Sequence, residues 1–150
     1  MWYNVFIIWL MRSPLGGLLD KNLLLVTYVG RKSGKRYTIP VNYLRINPAD
    51  PNELTTLSLR TRTWWCNLLD SRPYHVQLQR KDFLATAEVI VLEASVVAHL
   101  RSYLKSVPQM AKYFNVRMEN GLPNAVDLAR AAKERVVILT RVGGLFEGKR

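Results

Sequence analysis

The chain predicts a mainly β (α+β) domain, a small barrel of about six mostly antiparallel strands with helices before, between and after them. Two observations carry this. Short runs of strand composition recur between compact turns, and closing such strands on themselves removes the sheet edges they otherwise expose. At 150 residues, one domain spanning 1–150 with a full core is expected.

The elements follow in order. Trp2 to Met11 is apolar apart from Asn4 and, with Arg12, reads as a short N-terminal helix over residues 1–12 packed on the domain. It is too short for a bilayer, which takes about 20 residues, and it lacks the charged start and small-residue cleavage site of a signal peptide. Asn22 to Val29 reads as a buried strand and Tyr37 to Ile46 as a second. There Tyr37, Ile39, Val41 and Tyr43 alternate with Thr38, Pro40 and Asn42, and Pro40 marks an edge or bulge because it has no N–H to donate. Asn47 to Asn52 is a loop and Glu53 to Leu59 a third strand. Thr63 to Leu69 reads as a helix capped by Thr63 and ended by Arg72-Pro73. Tyr74 to Gln79 and Phe83 to Leu92 form a hairpin about a turn at Arg80-Lys81-Asp82. Glu93 to Val107 is an amphipathic helix with Val97, Leu100 and Leu104 on one face. A helical piece from Pro108 to Phe114, a loop over Asn120 to Pro123, a helix from Ala125 to Glu134 and a strand from Arg135 to Val142 complete the chain.

The stretch Gly30-Arg31-Lys32-Ser33-Gly34-Lys35-Arg36 concentrates four cations between two strands. Its glycines allow sharp backbone turns and leave amides open to an anion such as a phosphate. It is no P-loop: three residues separate the glycines and Arg36 follows Lys35, where that loop needs four and then Ser or Thr. A solvated hairpin tip is the competing reading. The net charge of +11 favours anionic partners, and it is uneven. From Arg31 to Lys81, ten cations face only Asp50, Glu53 and Asp70, so an anion site is expected in the first half. Cys66 is the only cysteine, which excludes an intramolecular disulfide and fits a reducing cytoplasm. With only His75 and His99 besides, a structural zinc site lacks ligands.

The run Leu23 to Arg36, then Pro40-Val41-Asn42-Tyr43, then Trp64-Trp65-Cys66-Asn67-Leu68 resembles the deazaflavin-dependent nitroreductase family, of the flavin and deazaflavin oxidoreductases with a split β-barrel. The resemblance covers about residues 15–91. It implies a cytoplasmic oxidoreductase that holds coenzyme F420, an 8-hydroxy-5-deazaflavin, and passes a hydride to a small electrophile such as a quinone, an enone or a nitroaromatic. Lys32 falls on the family's phosphate-contacting lysine, with Arg31, Ser33, Gly34, Lys35 and Arg36 beside it. Pro40, Val41 and Asn42 fall on the segment lining the ring, Ser58 on the serine before the helix, and Trp64 on the helix tryptophan. Tyr43, Trp65 and Tyr113 are the expected substrate contacts; no catalytic side chain is identified.

Two departures stand out. Tyr37 occupies a position where family members often carry arginine, and the stretch from Ser58 to Trp64 is short, which makes Arg60 the stand-in for a missing lysine. The family's tyrosine-rich pattern after Glu93 is absent, leaving Tyr103 and Tyr113. FMN binding, a non-catalytic cofactor carrier, a homodimer and peripheral membrane contact through residues 2–11 all stand as open readings. A nucleic-acid module is the remote one, since no helix-turn-helix, zinc-finger or RNP pattern accompanies the charge.

Overall fold

The computed structural model describes residues 23–70 and 72–145; the N-terminal helix expected over 1–12 lies outside them. β1 (Leu23–Val29), β2 (Arg36–Asn42), β3 (Glu53–Leu59), β4 (Tyr74–Leu78), β5 (Lys81–Ile90) and β8 (Arg135–Leu145) form one sheet in the order β2-β1-β4-β5-β8-β3. Every pairing is antiparallel. β2 and β3 are its two edges, and the sheet curls until they meet at a single bridge between Leu44 and Thr55. This is a split barrel, as the resemblance implied.

Alternation sorts the side chains. Leu24 and Val26 from β1, Leu54 from β3, Tyr74, Val76 and Leu78 from β4, and Val136, Ile138 and Val142 from β8 fill the interior. The Tyr74 hydroxyl reaches Thr140 Oγ1 across it at 2.7 Å, and burial pushes the phenol up to about 12. The opposite face of β8, Val137 and Leu139, packs under helices. Burial on both faces explains the unbroken apolar run Val136 to Leu139.

Helix α1 (Glu93–Ser106) and helix α2 (Ala125–Glu134) cover that outer face. α1 buries Val96, Leu100, Tyr103 and Leu104; Leu100 and Leu104 lie on the expected face, and Val97 packs half-buried beside them. Asn124 caps α2, its Oδ1 accepting from the amides of Val126 and Asp127 at 3.1 and 3.0 Å. A 3-10 helix, Pro108–Phe114, and a two-residue-stranded hairpin, β6 (Met118–Glu119) with β7 (Leu122–Pro123), link the helices.

Five local expectations change. The second strand ends at Asn42, because Tyr43 turns into the core, where it is buried. The β4–β5 turn is Gln79-Arg80, with Leu78 facing Lys81. Both turn residues hold positive φ, the geometry of the two-residue hairpin turn, without the glycine that usually announces it. The expected loop at Asn120 is a hairpin: Asn120 and Gly121 have φ of 53° and 77°, but its strands are too short to show alternation. Thr63 to Leu69 folds as a 3-10 helix, Trp64–Leu68, and Thr63 makes no side-chain cap bond. The piece from Pro108 is likewise 3-10 helix.

Asp127 ties α2 to the hairpin. Its carboxylate, 9% exposed, accepts from the Arg117 amide and guanidinium at 3.0 and 2.8 Å. Those bonds hold its pKa below the usual aspartate value. A depressed folded pKa gives stability that is present above the unfolded value and lost as pH falls through the folded one. Asp127→Asn should therefore melt below the parent at neutral pH, the gap closing as pH drops past the ordinary value of 3.8. Melts of both proteins across that range check this; a gap that does not change with pH would assign the loss to packing.

Candidate active-site cleft

Beyond the Leu44–Thr55 bridge the two edges stay close for one further contact, where Thr56 Oγ1 donates to the Asn42 carbonyl at 2.9 Å. Past it they separate, and a cleft of about 190 Å³ opens between β2 and β3. The sequence explains the separation. The β1–β2 register runs unbroken through Pro40, opposite Leu25, as it can where the ring nitrogen faces away from β1. Pro40 then offers no donor to β3. On the facing strand the Ser58 hydroxyl is occupied, accepting from Trp64 Nε1 at 3.1 Å and donating to the Leu59 carbonyl at 3.2 Å.

Pro40, Val41 and Asn42 form one wall; Thr56, Leu57, Ser58 and Leu59 form the other. Arg62 and Trp64 sit beyond β3, and Tyr103, Met110, Tyr113, Phe114 and Arg135 come from the helical layer and the start of β8. Among the described residues no carboxylate lines it. Arg135 lies over the Phe114 ring with 4.8 Å from guanidinium carbon to centroid, and over Tyr113 with 5.9 Å. Tyr103 is buried, which raises its hydroxyl pKa, Tyr113 adding to the effect; it remains a protonated donor at neutral pH.

The basic turn stands at the open end of the β2 wall. Gly34 holds φ +69°, and a Cβ on Gly30 would lie 2.8 Å from Ser33 Oγ and 2.9 Å from the Tyr37 ring. Glycine suits the left-handed backbone at Gly34, and a side chain at Gly30 would have to displace those of Ser33 and Tyr37. The amides of Gly30, Gly34 and Lys35 are spent on closing it, so they are not available to a ligand. Arg31 faces inward: its amide donates to Asn67 Oδ1 at 2.8 Å and its guanidinium to the Cys66 carbonyl at 3.1 Å. Asn67 Nδ2 in turn donates to the Trp64 carbonyl at 3.0 Å. The turn and the tryptophan are thus fixed to each other. Among the described residues, the side-chain charges of Lys32, Lys35, Arg36 and Arg62 have no ion-pair or hydrogen-bond partner.

Of the residues expected to hold a cofactor, Pro40, Val41, Asn42, Ser58 and Trp64 come together in the cleft, and Tyr113 joins them from the expected substrate set. Lys32, Ser33, Gly34, Lys35 and Arg36 lie at its exposed end, about 13 Å of strand from Pro40 to Arg36. Arg36 shares the face of Thr38 and Pro40. Tyr37 faces the other way, stacking on Tyr28 with 5.6 Å between centroids. Arg60 is elsewhere: its guanidinium donates to the carbonyls of Lys133, Ala132 and Arg135, capping the end of α2. Arg62, two residues on, is the cation that reaches the cleft. Tyr43 is 4% exposed inside the barrel, and Trp65 packs against the same core with its Nε1 buried and unbonded; neither lines the cleft. Sequence reading missed Arg62, Arg135, Met110 and Phe114. The last three are brought to β3 by topology and leave no local pattern.

No protein-family model matches the sequence, and no curated protein matches it. Solved structures do match. A Listeria innocua protein provisionally named a pyridoxamine 5'-phosphate oxidase aligns at 12% identity over 88% of this chain and 92% of its own, with a TM-score of 0.54. A Clostridium acetobutylicum protein related to general stress protein 26, of the pyridoxinephosphate oxidase family, aligns at 10% identity over 93% and 84%, with a TM-score of 0.53. These define the fold class: the chain is similar to the split-barrel proteins of that kind. An F420-H2-dependent reductase also aligns, at 17% identity over 79% and 94%, but its TM-score of 0.44 is too low to carry an argument.

Asn67 joins the basic turn to Trp64, so Asn67→Ala should cost about 1 kcal/mol and lower the melting temperature by roughly 2–4 °C. A thermal melt checks it. No change would mean the turn holds its place without this link.

Proposed function

We propose that this protein is a split-barrel oxidoreductase that binds a reduced deazaflavin, coenzyme F420, and reduces a small planar electrophile such as a quinone, an enone or a nitroaromatic. The single observation behind this is the cleft between two unjoined strand edges, lined by aromatic rings, aliphatic side chains and hydroxyls, with the partnerless cations of the basic turn further along β2 from its open end. The local sequence that builds it is the part that resembles the deazaflavin-dependent nitroreductases.

The residues suit such a cofactor. The cleft is smaller than the ~300–1,000 Å³ of an enclosed small-molecule pocket, so a ring seated there leaves the rest of its molecule in solvent along β2. Lys32, Lys35 and Arg36 lie in that direction and suit separated anions such as a phosphodiester and a carboxylate tail. Val41 and Trp64 give the ring apolar walls. Ser58 positions Trp64 rather than reacting, since both of its hydrogen-bonding roles are taken.

When bound, reduced deazaflavin supplies two electrons and one proton as a hydride; a second proton from water completes reduction of the acceptor. The chain contributes orientation. Trp64 and the Pro40–Asn42 edge fix the ring's plane, and Tyr103 holds a proton on its hydroxyl and donates a hydrogen bond from the helical side. Hydride transfer of this kind asks the protein for orientation and not for a general base. FMN binding is the second reading, because one phosphate is enough to occupy the turn. Among the described residues no helix is long and apolar enough to cross a membrane. Peripheral contact through residues 2–11 and a homodimer remain proposals.

Absorbance titrations with deazaflavin and with FMN separate the two cofactors. Replacing Lys32 and Arg36 together with Ala should weaken deazaflavin binding by about tenfold and leave melting nearly unchanged, as exposed sites away from packing shift stability by no more than about 0.5 kcal/mol. Deazaflavin affinity should also fall with added salt more steeply than that of uncharged riboflavin. A collapsed melting temperature with intact affinity would make the turn purely structural. Binding without oxidation of the reduced cofactor by any acceptor would leave a carrier.

A further inference from the structure

We propose that Arg135 and Arg62 form a second anion site on the β3 side of the cleft, and that it selects electrophiles carrying a carboxylate beside a flat ring. The inference rests on the oxidoreductase reading for the role of the ligand, but not for the existence of the site.

Three observations carry it. Arg135 lines the cleft and has no acidic partner among the described residues. Its Nε is buried and makes no hydrogen bond, and an orphaned donor in a partly desolvated site costs stability unless something accepts from it. Its guanidinium carbon lies 4.8 Å from the Phe114 ring centroid and 5.9 Å from that of Tyr113, two rings set nearly perpendicular to each other. A cation–π contact takes up none of the guanidinium N–H groups, which leaves them to donate to a carboxylate. Among the described residues no carboxylate lines the cleft, and Arg62 adds a second charge.

Position separates this site from the basic turn. Arg135 faces Leu59, the last residue of β3, across the β3–β8 ladder. The turn belongs to the β1–β2 hairpin on the opposite edge of the split. One ligand's anion at the turn therefore leaves Arg135 for another. The wall around it, Tyr103, Met110, Tyr113 and Phe114, is three aromatic rings and a thioether, which fits an aromatic or conjugated acid rather than an aliphatic polyanion.

The test compares 4-nitrobenzoate with methyl 4-nitrobenzoate, near-isosteric probes that differ in charge. Calorimetric titrations would use the full-length protein, alone and saturated with oxidised deazaflavin. The parent should bind the acid about tenfold or more tighter than the ester, the worth of one charge-assisted bond. In Arg135→Gln the ratio should fall towards one, Arg135→Lys should recover part of it, and Arg62→Gln should reduce it while leaving Arg135 in place. Circular dichroism melts establish that each variant is folded. A parent with no preference for the acid overturns the proposal. So does an Arg135→Gln protein that keeps the preference but binds deazaflavin about tenfold more weakly, because that assigns Arg135 to the cofactor's anion. If the preference and its loss are seen while the parent binds no deazaflavin at all, the anion site stands and the oxidoreductase reading falls.

Discussion

The structure depends on an edge that is left unjoined. A curled six-stranded sheet brings β2 and β3 together, and the Leu44–Thr55 bridge with the Thr56–Asn42 contact joins them over a short distance only. Continued pairing would have made a closed barrel with nothing between its edges. Pro40 removes a backbone donor on the β2 side. Unpaired strand edges normally invite association; here the gap is walled by Trp64 and the helical layer instead. The cleft is the consequence, and so is its chemistry, since one wall is backbone edge and the other mixes small hydroxyls with aliphatic side chains.

The cations divide by the same constraint. Arg31 anchors the 3-10 helix, Arg60 caps α2, Arg117 and Arg130 hold Asp127, and Arg141 joins Asp50 and Glu53. These are structural, and they explain part of a charge excess that composition alone would assign to ligands. Of the cations with no ion-pair or hydrogen-bond partner among the described residues, Lys32, Lys35, Arg36, Arg62 and Arg135 are grouped on the two sides of the split. Charge counting pointed to the half that holds the first four but not to Arg135, because it reads the chain and not the sheet: Arg135 lies outside the Arg31–Lys81 window and reaches the cleft through the long connection from β5 through both helices.

Much of the fold was legible for definite reasons. Strands β1 and β3 and helix α2 showed their bounds through composition and turn residues, and Pro40 marked an edge strand correctly. Errors fell where local signals are weakest. The Gln79-Arg80 turn lacks glycine, the Asn120-Gly121 hairpin has strands too short to alternate, and the Trp64 helix keeps helical spacing while winding as 3-10. Within the site, residues read from contiguous motifs (Pro40 to Asn42, Ser58, Trp64) converge in the cleft. Tyr43 and Trp65 adjoin those motifs but alternate into the core, and Arg60 yields to Arg62 because the carbonyls at the end of α2 claim it first.

The central claim is that the gap between β2 and β3 holds a flat cofactor ring against Trp64. The indole N–H resonances of an isotopically labelled sample test it most directly, because Trp64 and Trp65 are sequence neighbours with opposite fates: one in the cleft, the other packed with its Nε1 enclosed. Titration with oxidised deazaflavin should shift the Trp64 indole signal strongly and saturably, with little change at Trp65. A shift confined to Trp65, or saturable binding that leaves both signals unmoved, would contradict the account and place the ligand elsewhere on the protein.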